Sequence, residues 1–198
     1  DPDHLVKART ALMAKVTDEQ ILAWADSDEF YAQLFLLCRK NLPPKVLESL
    51  CFSGHEEIQK LAINLKVLAE DEQLGWAKSE NVEIRKTVAA KEDITAKVQL
   101  LLCEDADEQV LAILAANPCL IEEAQKVLAE KSKVATALLQ RDSLSESALD
   151  NICHCCNEEL AYELAFTQSL SDYQTAELAR RFGIEMIYVL AKKNLFTR

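Results

Sequence analysis

Residues 94–119 read ITAKVQLLLCEDADEQVLAILAANPC, and the fold follows from this stretch. Ile94 is followed by Thr95, whose side-chain oxygen is of the kind that caps free N–H groups at a helix start. Apolar residues recur as far as Leu102 and the small Cys103, and the polar run Glu104-Asp105-Ala106-Asp107-Glu108 interrupts them. Val110 and Leu114 then resume at the i, i+4 spacing of one helix face. Asn117-Pro118 stops this second helix, since proline removes a donor and biases its predecessor away from the helical region. The stretch is two short helices, A and B, in antiparallel order.

The same arrangement recurs on both sides. Aliphatic residues open units at Val16, Leu42, Leu68, Ile94, Leu120, Leu144 and Leu170. Eight residues on stands a large apolar residue: Trp24, Leu50, Trp76, Leu102, Leu128, Ile152 or Leu178. Directly behind it is a small one: Ala25, Cys51, Ala77, Cys103, Ala129, Cys153 or Ala179. Thr17, Ser145 and Ser171 repeat the capping position of Thr95, and Pro43-Pro44 suits a first helical turn. Helix B carries one core column at Ile58, Ile84, Val110, Val134, Leu160 and Met186, and another four residues on at Ala62, Val88, Leu114, Leu138, Leu164 and Leu190. Helices this short are marginal alone, so the units must stack, and self-similarity at this period marks a solenoid. The small column is then expected where helix backbones approach closely. Residues 1–15 read as an N-terminal capping helix or half repeat, 16–194 as the repeat domain and 195–198 as a tail. A chain that starts and stops mid-repeat is expected of a piece of a longer protein or of an atypical cap.

Composition agrees with an all-α chain. Three glycines and four prolines in 198 residues are too few for turn-rich sheets. The net charge of −11 has the wrong sign for binding a phosphate backbone, so nucleic acid is not expected as a partner. No apolar run reaches the roughly 20 residues of a membrane span, and Asp1-Pro2-Asp3-His4 is no signal peptide, so a soluble, cytoplasmic protein without membrane partners is expected.

The segments Glu83–Ala90 (EIRKTVAA) and Gln109–Pro118 (QVLAILAANP) resemble the VRxxVAxNP pattern of the variant leucine-rich repeat family. The resemblance covers about two units well and the rest by periodicity. It implies a right-handed superhelix in which α-helices alternate with short, partly 3₁₀ helices, here of about seven two-helix repeats. These units are slightly longer than that family's, the arginine appears only at Arg85, and no counterpart of the cysteine cluster that precedes the repeats in some members is present. No catalytic residue is implied.

Chemistry hidden in the repeats is sparse. Three of the seven cysteines, Cys51, Cys103 and Cys153, alternate with alanine in the small column, as free cysteine does when it acts as a small hydrophobe. Cys153-His154-Cys155-Cys156 falls at the end of a helix A and in the following link; its adjacent spacing does not suit a tetrahedral zinc site. No metal, cofactor or catalytic residue is expected. The A–B links carry nearly all the net charge, the most acidic holding Glu104, Asp105, Asp107 and Glu108. Such acids either cap and oppose helix dipoles or form an edge that reads a basic partner. The outward columns of helix B gain Tyr162, Phe166 and Tyr188 toward the C-terminus, aromatics that either anchor a partner or face a further unit. The expected role is a non-enzymatic interaction scaffold that holds a protein or peptide, basic in character, on the curved helix face or the acidic edge. The alternatives are a HEAT-like nucleic-acid-processing enzyme, which needs a basic groove, and a metal- or redox-sensing module at Cys153–Cys156.

Overall fold

A computed structural model describes Val6 and residues 17–196, with the side chains of Ser132 and residues 194–196 set aside. Apart from Val6, the expected half repeat at 1–15, together with the opening Val16 and the last two residues of the expected tail, lies outside the described residues. Among the described residues there are fourteen α-helices and no strand. They come in pairs: α1 (Asp18–Ala25) with α2 (Phe30–Leu37), α3 (Pro44–Leu50) with α4 (Glu56–Leu65), α5 (Glu70–Ala77) with α6 (Val82–Ala90), and α7 (Ala96–Leu102) with α8 (Glu108–Ala116). There follow α9 (Glu122–Ala129) with α10 (Ser132–Leu139), α11 (Glu146–Cys155) with α12 (Glu158–Thr167), and α13 (Asp172–Phe182) with α14 (Ile184–Phe196). None of the described helices is a 3₁₀ helix, unlike the alternation the family resemblance implies. No described helix is long and apolar enough to cross a membrane.

The chain forms two compact units, one through Val88 and one from Ala89 onward. In the first, α1 packs on α2 and α3, α2 on α4, and α3 on α4. In the second, α7, α9, α11 and α13 pack each on the next, and so do α8, α10, α12 and α14. A helices therefore layer on A helices and B helices on B helices, contacts that fit a helical repeat fold.

The expected columns form the core. Ile58, Ile84, Val110, Val134, Leu160 and Met186 are buried, as are Ala62, Val88, Leu114, Leu138, Leu164 and Leu190. Each fully buried large aliphatic side chain contributes roughly 1.5–3 kcal/mol relative to exposure. The small column is buried from Ala25 to Cys153, while Ala179 is half-buried. Cys103 shows why it stays small: its sulfur lies 3.8 Å from the Ala124 carbonyl oxygen of α9. In the preceding column the two tryptophans, Trp24 and Trp76, are only half-buried.

Helix starts follow the expected chemistry. Thr17 and Ser171 each close a capping box, accepting from the backbone N–H of Gln20 and Gln174, whose side chains accept in return. Ser145 accepts from Ala148 N, and Pro44 opens α3. Thr95 holds the N-cap of α7 without a side-chain cap bond. Two links are shorter than expected. Helix α11 continues through Cys155, so His154 and Cys155 are helical, and only Cys156 and the N-cap Asn157 separate it from α12. Between α13 and α14 stands Gly183 alone, at φ 75°, a conformation that side chains with a Cβ rarely adopt.

Polar ties run between neighbouring repeats. In α7, the buried Gln99 donates to the carbonyls of Ile94 and Cys119 and accepts from Ile121 N at 2.8 Å. Gln125 likewise donates to Leu120 O and accepts from Ser145 N. On the B side, the last carbonyls of one helix receive a side chain from the next repeat. Asn117 donates to Ala89 O and Lys91 O, Arg141 to Ala115 O and Asn117 O, and Gln168 to Leu139 O and Arg141 O; Lys193 donates to Gln168 O. These carbonyls lie where a helix runs out of its own donors.

Candidate functional site

The acidic link between α7 and α8 is largely engaged with its own backbone. Asp105 accepts from Asp107 N at 2.9 Å, and Asp107 caps α8 by accepting from Gln109 N and Val110 N. Glu108 pairs with Lys133 of α10 at 2.5 Å, and that hydrogen bond raises the lysine's pKa. Glu104 is exposed. The same habit appears in the first unit, where Glu56 accepts from Asn81 and Lys60 and its pKa is held below the ordinary value by those two bonds. His55 sits within 3.4 Å of the Asp28 carboxylate and edge-on to the Phe30 ring. Asp28, Glu56 and Glu108 thus reach the next repeat, while Asp105 and Asp107 serve their own link and helix start.

The outward face of the B helices has a different character. On α8 and α10 its positions are small or polar: Ala116, Thr136 and Gln140 are exposed and Ala112 half-buried. A cleft of about 390 Å³ opens there, lined by Ala116, Pro118, Ala137, Gln140, Arg141, Asp142 and Ser143. The Arg141 guanidinium closes one side by donating to the carbonyls of Ala115, Asn117 and Pro118, while its Nε is buried and finds no acceptor among the described residues. Gln140 reaches across to Glu163 of α12 at 3.0 Å.

Beyond the cleft the face turns aromatic. Tyr162 of α12 is half-buried, and its hydroxyl lies 3.5 Å from the Glu158 carboxylate on its own helix and 3.4 Å from the Glu185 carboxylate of α14. Desolvation first, then the two carboxylates, raise the phenol's pKa. Phe166 is 64% exposed and Tyr188 is 69% exposed, with Ile184 and Ile187 also exposed on α14. Large apolar side chains are thus exposed on two packed helices, and such exposure, where contiguous, marks interaction surfaces. The structure therefore brings Tyr162, Phe166 and Tyr188 onto adjacent α12 and α14, whereas Glu104, Asp105 and Asp107 lie in a separate link of the same unit and Glu108 opens α8 directly after it.

The cysteine segment is mostly helical and divides between core and surface: Cys153 and Cys156 face inward, whereas His154 and Cys155 are exposed. Cys153 and Cys156 are buried; burial pushes the Cys153 thiol up to about 12 and raises that of Cys156, which Arg181 contacts at 3.5 Å. Cys155 donates to Ala129 O at 3.2 Å, and its thiol is also raised by burial. A redox-sensing thiolate requires the opposite shift. Among the described residues no three His, Cys, Asp or Glu side chains are placed to hold a metal ion.

Reading along the chain did not single out Arg141, Glu163 or Glu185, nor the glutamine ties. The glutamines did leave a signal, five residues after the opening position in three successive units, at Gln73, Gln99 and Gln125. No match to this chain was found among protein-family models, curated proteins or solved structures.

Proposed function

We propose that the chain is a non-enzymatic interaction scaffold, a right-handed α-solenoid of about seven two-helix repeats of the variant leucine-rich type, holding a basic protein or peptide on the outward face of its B helices. The observation that carries this reading is the exposure of Phe166 on α12 and of Ile184 and Tyr188 on α14, two packed helices whose Glu158 and Glu185 carboxylates meet at the Tyr162 hydroxyl. Aromatic anchors within a polar rim are the anatomy of a binding hot spot. The face is preferred to the link at Glu104, because the link's neighbouring acids already serve backbone groups and Lys133. The period of about 26 residues and the layering of A on A and B on B support the solenoid. Seven free cysteines suit a reducing compartment such as the cytoplasm.

Selection of displayed random peptides against the purified chain tests the function. Wild-type protein is expected to enrich a family of ligands that the double variant Phe166→Ser/Tyr188→Ser does not. Equal enrichment of the same ligands by both proteins refutes the assignment to this face, and no enrichment by wild type refutes the scaffold.

A further inference from the structure

We infer that the aromatic face of α12 and α14 reads arginine: a partner's guanidinium seats between Glu158 and Glu185 beside Tyr162, with Phe166 and Tyr188 flanking the rest of its side chain. The inference rests on the scaffold reading and names the group that the face selects. Its basis is geometric. Glu158 stands in the first turn of α12 and Glu185 in the first turn of α14, yet both approach the single hydroxyl of Tyr162. Their oxygens are therefore within roughly 7 Å of each other, a span that a guanidinium, with donors on three nitrogens, bridges from one plane. Among the described residues neither carboxylate has an ion-pair partner, and the phenol between them supplies one proton for two anions.

Charge complementarity chooses the occupant. The chain carries −11, so a second copy arrives with like charge, while a basic segment is attracted. Lys193, toward the other end of α14, is committed to the Gln168 carbonyl. Lysine satisfies this site less well than arginine: its ammonium is a compact point charge, whereas a guanidinium donates to two carboxylates and lies flat on an aromatic ring. The exposed rings of Phe166 and Tyr188 provide such planes.

The test uses the full chain and two labelled probes of equal charge, hexa-arginine amide and hexa-lysine amide, followed by fluorescence anisotropy at about 0.15 M salt, where non-specific attraction is screened. Hexa-arginine is expected to bind roughly fivefold more tightly. Glu158→Gln/Glu185→Gln is expected to bring the two probes to equal, weaker affinity, and Glu92→Gln, exposed elsewhere, to leave the ratio intact. Equal affinity of wild type for the two probes overturns the inference, and that comparison needs no variant to fold. It is also overturned if the double glutamine variant keeps the arginine preference, as acids that serve only their helix ends would allow. Sedimentation showing a wild-type dimer that Phe166→Ser/Tyr188→Ser abolishes overturns it too, assigning the face to a second copy. Displayed peptides that enrich on this face without arginine sink the inference and leave the scaffold standing.

Discussion

Replacing Asn117 by alanine tests whether side chains from one repeat hold the helix ends of the last. The Asn117 side chain is 3% exposed, donates to Ala89 O at 2.8 Å and Lys91 O at 2.7 Å, and accepts from Cys119 N at 2.9 Å. Each such bond contributes roughly 0.5–1.5 kcal/mol net, and leaving buried partners unsatisfied pushes toward the upper figure, so the variant should lose about 3 kcal/mol. For a chain of this size that corresponds to a fall in Tm of about 6–12 °C. Far-UV circular dichroism is the suitable assay, since Trp24 and Trp76 both lie in the other compact unit. Asn117→Asp separates two explanations. Aspartate keeps the acceptor for Cys119 N but loses both donors and sets a carboxylate against two carbonyl oxygens, so it should be no more stable than the alanine variant. A fall below about 2 °C for alanine, or recovery of most of the loss by aspartate, refutes the claim that the two donated bonds stabilise the stack.

Two further substitutions probe the packing and the ion pairs. Cys103→Leu should cost roughly 1–3 kcal/mol by overpacking against the α9 backbone, whereas Cys103→Ala should be mild; equal melting curves for the two contradict the close approach. Glu72 accepts from Lys66 and from Ala69 N, and the Lys66 bond, then the backbone bond, hold its pKa below the ordinary carboxylate value. Its stabilisation is therefore present above the unfolded pKa and lost as pH falls through the lower folded value, so the Tm advantage of wild type over Glu72→Gln should shrink between pH 7 and pH 3. An advantage that stays constant over that range rules this account out.

The helices, their starts and their buried faces were legible in the sequence because each depends on neighbours within a turn or two. Thr17 caps because Gln20 is three residues away, and Val110 and Leu114 share a face because four residues make one turn. The small column was legible too, since it repeats in every unit. The roles of the polar side chains were decided by tertiary structure. Gln99, Asn117, Arg141 and Gln168 bond to groups 20 to 29 residues away, and nothing in their own vicinity distinguishes a tie from a solvated side chain. The acids at Asp107 and Glu108 and those at Glu158 and Glu185 look alike along the chain, all near helix starts. Only the stacking of helices gives Glu108 the lysine of α10 and brings Glu185 to the hydroxyl of Tyr162. Hydrophobic burial is set by a residue's own period, whereas a charge acquires its role from whatever the next repeat places opposite it.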